Sequence, residues 1–171
     1  ATFDGKRWKK VTVDGAGGSG GRTTDTIAGA ISMCVNGSGT KQNLHIFYSD
    51  ATEKDLRYAT FNGTSFAFET VDGNGAAVNN YEDPIRVRTS SDVSVANACV
   101  ASASAVQVFY RDESQGVLLG AVRTRGAAWK YELLDGDRKT DGRTTGDVGF
   151  HIQAVFDGST TYVAYDSVVS M

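Results

Sequence analysis

The feature that most constrains this chain is a unit of about sixty residues written three times. The string Leu44-His45-Ile46-Phe47-Tyr48-Ser49-Asp50, followed by Asp55 to Gly63, returns as Val106 to Asp112 with Val117 to Val122. It returns once more as Thr161 to Ser167. A chain with such a period stacks one supersecondary unit on the next, because a single unit cannot bury its apolar face alone.

Three columns of the repeat carry the secondary structure. In the first, an aromatic residue leads by six positions to Asp-Gly: Trp8 to Asp14-Gly15, Phe66 to Asp72-Gly73 and Trp129 to Asp135-Gly136. The segments between, Lys9–Val13, Ala67–Val71 and Lys130–Leu134, are rich in β-branched and aromatic residues and end in turn chemistry, so they read as strands. The aspartates are expected to turn the chain by bonding their own backbone. The second column follows an arginine loop: Gly21-Arg22-Thr23-Thr24 recurs as Gly142-Arg143-Thr144-Thr145, while an insertion from Ala76 to Pro84 disturbs the middle copy and leaves Arg86 as its counterpart. Beyond it lie the strand-like segments Ile31–Cys34, Val93–Ala96 and His151–Val155. The third column aligns Tyr48, Tyr110 and Tyr165 and ends its hairpin partner at Asn62-Gly63, a strong two-residue turn signal. No window of eleven residues has helical apolar spacing, so the chain is all-β, with about four strands per repeat and about twelve in all.

The 171 residues are read as a single domain with repeats at approximately 8–65, 66–128 and 129–171, the last completed by 1–5. Net charge is only −3 and basic residues form no stripe, which argues against nucleic acid as a partner. The longest apolar runs are too short to span a bilayer. No charged segment leading into an apolar core stands at the start, the pattern of a mature or a cytoplasmic chain. Cys34 and Cys99 sit near equivalent places in strand-like contexts, and buried free thiols are the preferred reading over a disulfide.

Ala1-Thr2-Phe3-Asp4-Gly5 matches Ala59-Thr60-Phe61-Asn62-Gly63, the last strand of a repeat, and the last repeat stops before that strand. In a ring of four-stranded blades the opening segment would complete the final blade and cover an edge. The expectation is a β-propeller with about three blades per chain. Propellers have four to eight, so the chain is half of a ring closed by a homodimer, or a fragment of a larger propeller. A β-trefoil, also threefold and of about twelve strands, is the alternative.

The strings Phe47-Tyr48-Ser49-Asp50-Ala51-Thr52, Asp55–Ala59, Asn62–Phe66 and Glu69–Gly73 resemble repeats of secreted bacterial β-propeller proteins, and more distantly those of fucose-binding lectin propellers. The resemblance implies an extracellular or secreted protein that recognises carbohydrate or glycoconjugate. It does not carry fucose specificity. The sugar-holding arginine of those lectins falls on His45, Gln107 and Tyr162 here, and the glutamate on Tyr58 and Gly120.

Other motifs read as structure. Gly15 to Gly20 satisfies a dinucleotide fingerprint, but no amphipathic helix follows from Arg22 to Gly29, so a loop is expected. Gly17-Gly18-Ser19-Gly20-Gly21 imitates a nucleophile elbow without an α/β pattern around it. The acidic loop Asp135 to Asp141 lacks the terminal acidic ligand of a calcium loop. A sialidase box is only partly kept at Asp4–Trp8, and no carboxylate pair marks a glycosidase. No catalytic residue, metal or cofactor is therefore expected. Candidate ligand contacts are the loop arginines Arg22, Arg86 and Arg143, whose planar donor forks suit carboxylates or hydroxyls. Trp8 and Trp129 add apolar faces, with core packing as their competing role and bridges to Asp25 or Asp147 as the competing role of the arginines. The expected function is a non-catalytic, lectin-like binding module; the alternatives are a structural or protein-interaction propeller and, behind both, a glycosidase- or lyase-type enzyme.

Overall fold

The organising strands are apolar on both faces, and that pattern dictates how the sheets stack. In Val106–Tyr110 and Leu44–Tyr48 nearly every side chain is apolar or aromatic, so each strand must be covered on both sides. A computed structural model describes residues 1–38, 41–74, 85–86, 89–136, 142–144 and 146–168. Among these there is no helix, and thirteen strands form four antiparallel sheets.

The first sheet is a hairpin of β1 (Thr2–Phe3) and β2 (Trp8–Lys9). The second is a meander of β3 (Ile27–Ser38), β4 (Lys41–Asp50), β5 (Asp55–Phe61) and β6 (Phe66–Asp72). After β7 (Ile85–Arg86), the third repeats this meander in β8 (Asn97–Ala101), β9 (Ala105–Asp112), β10 (Val117–Thr124) and β11 (Lys130–Asp135), and β7 pairs with the outer edge of β11. The fourth holds β12 (Asp147–Phe156) and β13 (Thr161–Val168).

The sheets stand in a row. β3 packs on β8, and β8 packs on β12. Phe47, Leu56, Tyr58 and Val71 of the second sheet share a core with Val108, Tyr110 and Leu119 of the third. The other face of the third sheet, with Phe109 and Leu118, closes on Val148 and Ile152. On the other face of the second sheet, Ile46, Tyr48 and Ala59 cluster with Ile27 of β3 and with Val13 of the loop after β2. Neighbouring residues of one strand thus serve different cores.

Each step from sheet to sheet is fastened in the same way. Tyr48 donates to Asp14 Oδ2, Tyr110 to Asp72 Oδ2 and Tyr165 to Asp135 Oδ2, all at 2.6 Å. The other oxygen of each aspartate receives the backbone N–H of the next glycine and of a threonine in the following loop: Thr23, Thr89 or Thr144. The expected turn role of these aspartates is therefore present, and each also reaches a tyrosine of the following sheet. Burial alone would raise the pKa of Asp14 and Asp135, but the hydrogen bonds outweigh it and hold both below the usual carboxylate value; Arg57 adds its charge at Asp14.

Several expectations need correcting. Cys34 and Cys99 are not free thiols but a disulfide joining β3 to β8. β1 bonds to β2 and does not complete the sheet of β12 and β13 within the chain. The first of the leading-aromatic strands is shorter than Lys9–Val13 implies, with β2 confined to Trp8–Lys9. The strand expected at Val93–Ala96 begins only at Asn97, because Ser94 is engaged by the Asp92 carboxylate in a local turn. The whole insertion Ala76–Pro84 and most of the Asp135–Asp141 loop lie outside the described residues.

Candidate functional site

A cavity of about 860 Å³ opens between the second and third sheets at the end where their hairpins turn. One wall comes from Asn36, Gln42 and Asn43 at the β3–β4 turn and from His45, Tyr58 and Thr60 deeper in the strands. The opposite wall is the β8–β9 turn around Ser104 and the end of β10, with Arg123 and Arg125. The pleat dictates this placement: His45 pairs across from Thr60, and Tyr58 from Phe47, so two polar-tipped side chains reach the space that apolar residues fill below.

The floor is aromatic. Tyr58 and Phe47 lie 4.8 Å apart, and the Trp129 ring stands edge-on to both, at 5.6 Å and 5.9 Å. The Arg123 guanidinium lies over Tyr58 at 4.9 Å and over Trp129 at 4.5 Å, and it forms an ion pair with Glu69 on the neighbouring sheet. His45 is 7% exposed, with Nδ1 2.6 Å from the Tyr58 hydroxyl. Burial pushes the His45 pKa down, and the positive charge of Arg123 pushes it further, so the ring is neutral at pH 7. Its buried Nε2 meets no protein partner among the described residues, and neither does the Trp129 indole N–H. Buried polar atoms are normally satisfied, so His45, which lines the cavity, keeps a hydrogen-bonding capacity that the described residues leave unused.

A smaller cavity, about 380 Å³, occupies the corresponding step between the third sheet and β13. Gln107 stands there in the place of His45 and Glu132 in that of Glu69, while Gly120 replaces Tyr58. Thr161 donates to Gln107 Oε1 at 2.7 Å. The aromatic face is missing.

Of the residues expected to contact ligand, only Trp129 adjoins the large cavity, as part of its aromatic floor. Trp8 is 64% exposed at the far end of the row, against Phe3. Arg22 donates to the backbone carbonyls of Val13, at 2.8 Å, and Thr12, rather than bridging to Asp25 or Asp147. Asp25 accepts from Thr23, and Asp147 lies 3.7 Å from Arg111. Arg143 is half-buried in the loop before β12. The Gly-Arg-Thr-Thr repetition thus has a structural cause, since the threonine after the arginine is what each aspartate grips. Thr89 fills that role in the middle repeat, so residue 88, not Arg86, precedes it there. Arg86 lies on β7, with its backbone paired to Tyr131.

His45 and Tyr58 stand at the positions where the lectin comparison seeks its arginine and glutamate, and sequence reasoning treated them only as losses. Arg123 carried no motif at all, and Glu69 stood only at the start of the propeller-like string Glu69–Gly73. The available signal was a histidine inside an otherwise apolar strand, one of only two in the chain. Among the described residues, no group of three or more His, Cys, Asp or Glu side chains is arranged to hold a metal ion, and no helix is long and apolar enough to cross a membrane. No family model, curated protein or solved structure matches the chain.

Proposed function

We propose that this chain is a non-catalytic carbohydrate-binding module of propeller type, secreted or extracellular, whose ligand enters the cleft lined by His45, Tyr58 and Arg123. The observation that carries this reading is the pairing of an aromatic floor with an unpartnered, neutral His45 Nε2. A sugar ring has an apolar face for Tyr58 and hydroxyls around its rim. A hydroxyl both donates and accepts, so it satisfies Nε2 in either tautomer. Gln42 and Asn43 supply further amide partners at the mouth, and Arg125 adds a forked donor.

Support for a binding rather than a hydrolytic role comes from the carboxylates. Glu69 is engaged by Arg123, and Asp14, Asp72 and Asp135 each hold a tyrosine. None of them is presented with a second carboxylate across the cleft, as glycoside cleavage needs. The Cys34–Cys99 disulfide fits an oxidising compartment. The row of alike sheets, each fastened to the next, fits propeller blades.

Screening the chain on a glycan array, followed by titration of any retained sugar, tests the reading. In a Trp8→Phe background Trp129 is the single tryptophan, so its fluorescence reports on the cleft directly. His45→Ala and Arg123→Gln should each weaken binding about tenfold, the loss of a hydrogen bond or cation contact worth ~1.4 kcal/mol. Arg22→Ala should bind as the parent does. If the array retains no glycan, or both cleft variants bind unchanged, the reading fails.

A further inference from the structure

The charge of the cleft runs against that of the chain. Acidic residues outnumber basic ones by 20 to 17, yet among the described residues no aspartate or glutamate lines the cavity, and two arginines do. The other two ionisable groups of the lining carry no charge at pH 7, since burial pushes the His45 pKa down and that of the Tyr58 phenol up. Arg123 is matched by Glu69, which stands outside the lining. Arg125 forms no ion pair among the described residues, so the cleft keeps one unmatched positive charge at its rim.

The backbone holds that charge in place. The Arg125 N–H donates to the Ser104 carbonyl at 3.0 Å, and the Ala127 N–H closes the turn after β10 on the Thr124 carbonyl at 3.0 Å. The β8–β9 turn that receives Arg125 is itself tied across the cleft, because Asn36 Nδ2 on β3 donates to the Ser102 carbonyl at 2.9 Å. Two turns and the facing strand thus set the position of the Arg125 backbone, while its side chain is exposed and presents a planar fork of donors. The next gap along the row has the opposite sign. Among the described residues its cavity is lined by Glu132 and by no arginine or lysine. The positive rim is therefore a property of the first gap and not a requirement of the repeated architecture.

We propose that the sugar bound in this cleft is acidic, with a carboxylate or sulfate oxyanion placed against Arg125 and its ring toward the aromatic floor. The proposal rests on the carbohydrate reading and adds to it the charge of the ligand. A guanidinium fork meets two oxygens of either group at once, a match that a ring bearing only hydroxyls does not offer. Because Arg125 is exposed, the pair acts through preference between ligands and through salt dependence more than through raw affinity.

A glycan array that carries each glycan in neutral, carboxylated and sulfated form tests this, with the retained members then titrated at low salt and at about 1 M, where screening acts within about 3 Å. Acidic members should be retained, and their neutral forms should bind about fivefold more weakly, the upper end for an exposed ion pair. High salt should remove the difference. Retention of the carboxylated or of the sulfated forms identifies the oxyanion. Arg125→Gln alters an exposed side chain and should leave the circular dichroism spectrum and the binding of neutral forms unchanged while abolishing the preference for acidic ones. Neutral forms that bind as tightly as acidic ones overturn the charge assignment and leave the carbohydrate reading standing. An acidic preference that survives in Arg125→Gln overturns the role of Arg125. An array that retains no glycan overturns both readings together.

Discussion

Replacing Tyr110 by phenylalanine isolates one fastening of the row. The substitution keeps the ring and removes a hydroxyl that donates to Asp72 Oδ2 at 2.6 Å, with both residues at 0% exposure. A hydrogen bond to a charged group contributes about 1.5–3 kcal/mol net, and the upper half applies where water cannot replace the donor. Tyr110→Phe should therefore cost about 2–3 kcal/mol. The other two fastenings supply internal controls. At Asp14, Arg57 places Nε 3.1 Å and Nη2 3.0 Å from the same oxygen that Tyr48 reaches, so Tyr48→Phe leaves the carboxylate a charged partner. At Asp135 the Thr144 hydroxyl also bonds Oδ2, at 2.7 Å, and Tyr165 is only half-buried. Both of these variants should cost about 1 kcal/mol. Urea titrations at pH 7 read the differences as shifts in midpoint at constant slope, and the melting temperature should move about 2–4 °C per kcal/mol for a chain of this size. Equal losses for all three variants, or a Tyr110→Phe loss under about 0.5 kcal/mol, would refute the reasoning that burial, together with the Arg57 contact at Asp14 and the Thr144 contact at Asp135, sets the strength of each fastening.

Stability should be flat from pH 7 to 10 and fall on both sides, first below pH 6.5, where unfolded His45 takes up a proton that burial denies the folded ring. Asp14 and Asp135 have folded pKa values below 3.8, so their contribution is complete above that value and is lost as pH falls through the depressed one. Tyr165 is pushed up to about 12 from 10.0, by burial first and then by the Asp135 bond, so its contribution is complete below pH 10 and disappears as pH rises toward 12. Urea midpoints measured from pH 2 to 12 check both flanks, and a midpoint that changes steadily between pH 7 and 9 contradicts the assignment. Reducing the Cys34–Cys99 bond, which spans 65 residues, should cost ~4 kcal/mol on the chain-entropy account, seen as a lower urea midpoint in the Cys34→Ala/Cys99→Ala variant. Gly73 has φ +109°, and a Cβ there would stand 2.7 Å from Asp55 Cα as well as against its carboxylate. Gly73→Ala should cost ~3 kcal/mol or more by thermal unfolding, against ~1 kcal/mol for Gly63→Ala, where φ is +93° and the space is open.

The repeat made the strands and their turns legible, because Asp-Gly, Asn-Gly and the tyrosine column are local signals with fixed meaning. β6 and β11 fall at the expected places. What the sequence hid was cross-sheet register. Cys34 opposes His45, three residues before Tyr48, whereas Cys99 opposes Val108, two residues before Tyr110. That one-residue offset points the two sulfurs to opposite faces of equivalent strands, which is what lets successive sheets bring them together. The cleft was hidden for the same reason. His45, Arg123 and Glu69 come from different strands of two sheets, and no spacing along the chain relates them. The loop arginines drew notice because they recur, yet Arg22 recurs as a clamp on its own backbone.

The two larger cores lie between successive sheets, so a change within one gap is felt mainly by its two walls. The chain itself displays the result. Between the first gap and the next, histidine has become glutamine and tyrosine has become glycine, while the aspartate–tyrosine fastening persists unchanged. The scaffold thereby separates what must stay fixed from what is free to drift, and a series of clefts can diverge in chemistry along one molecule without renegotiating its architecture.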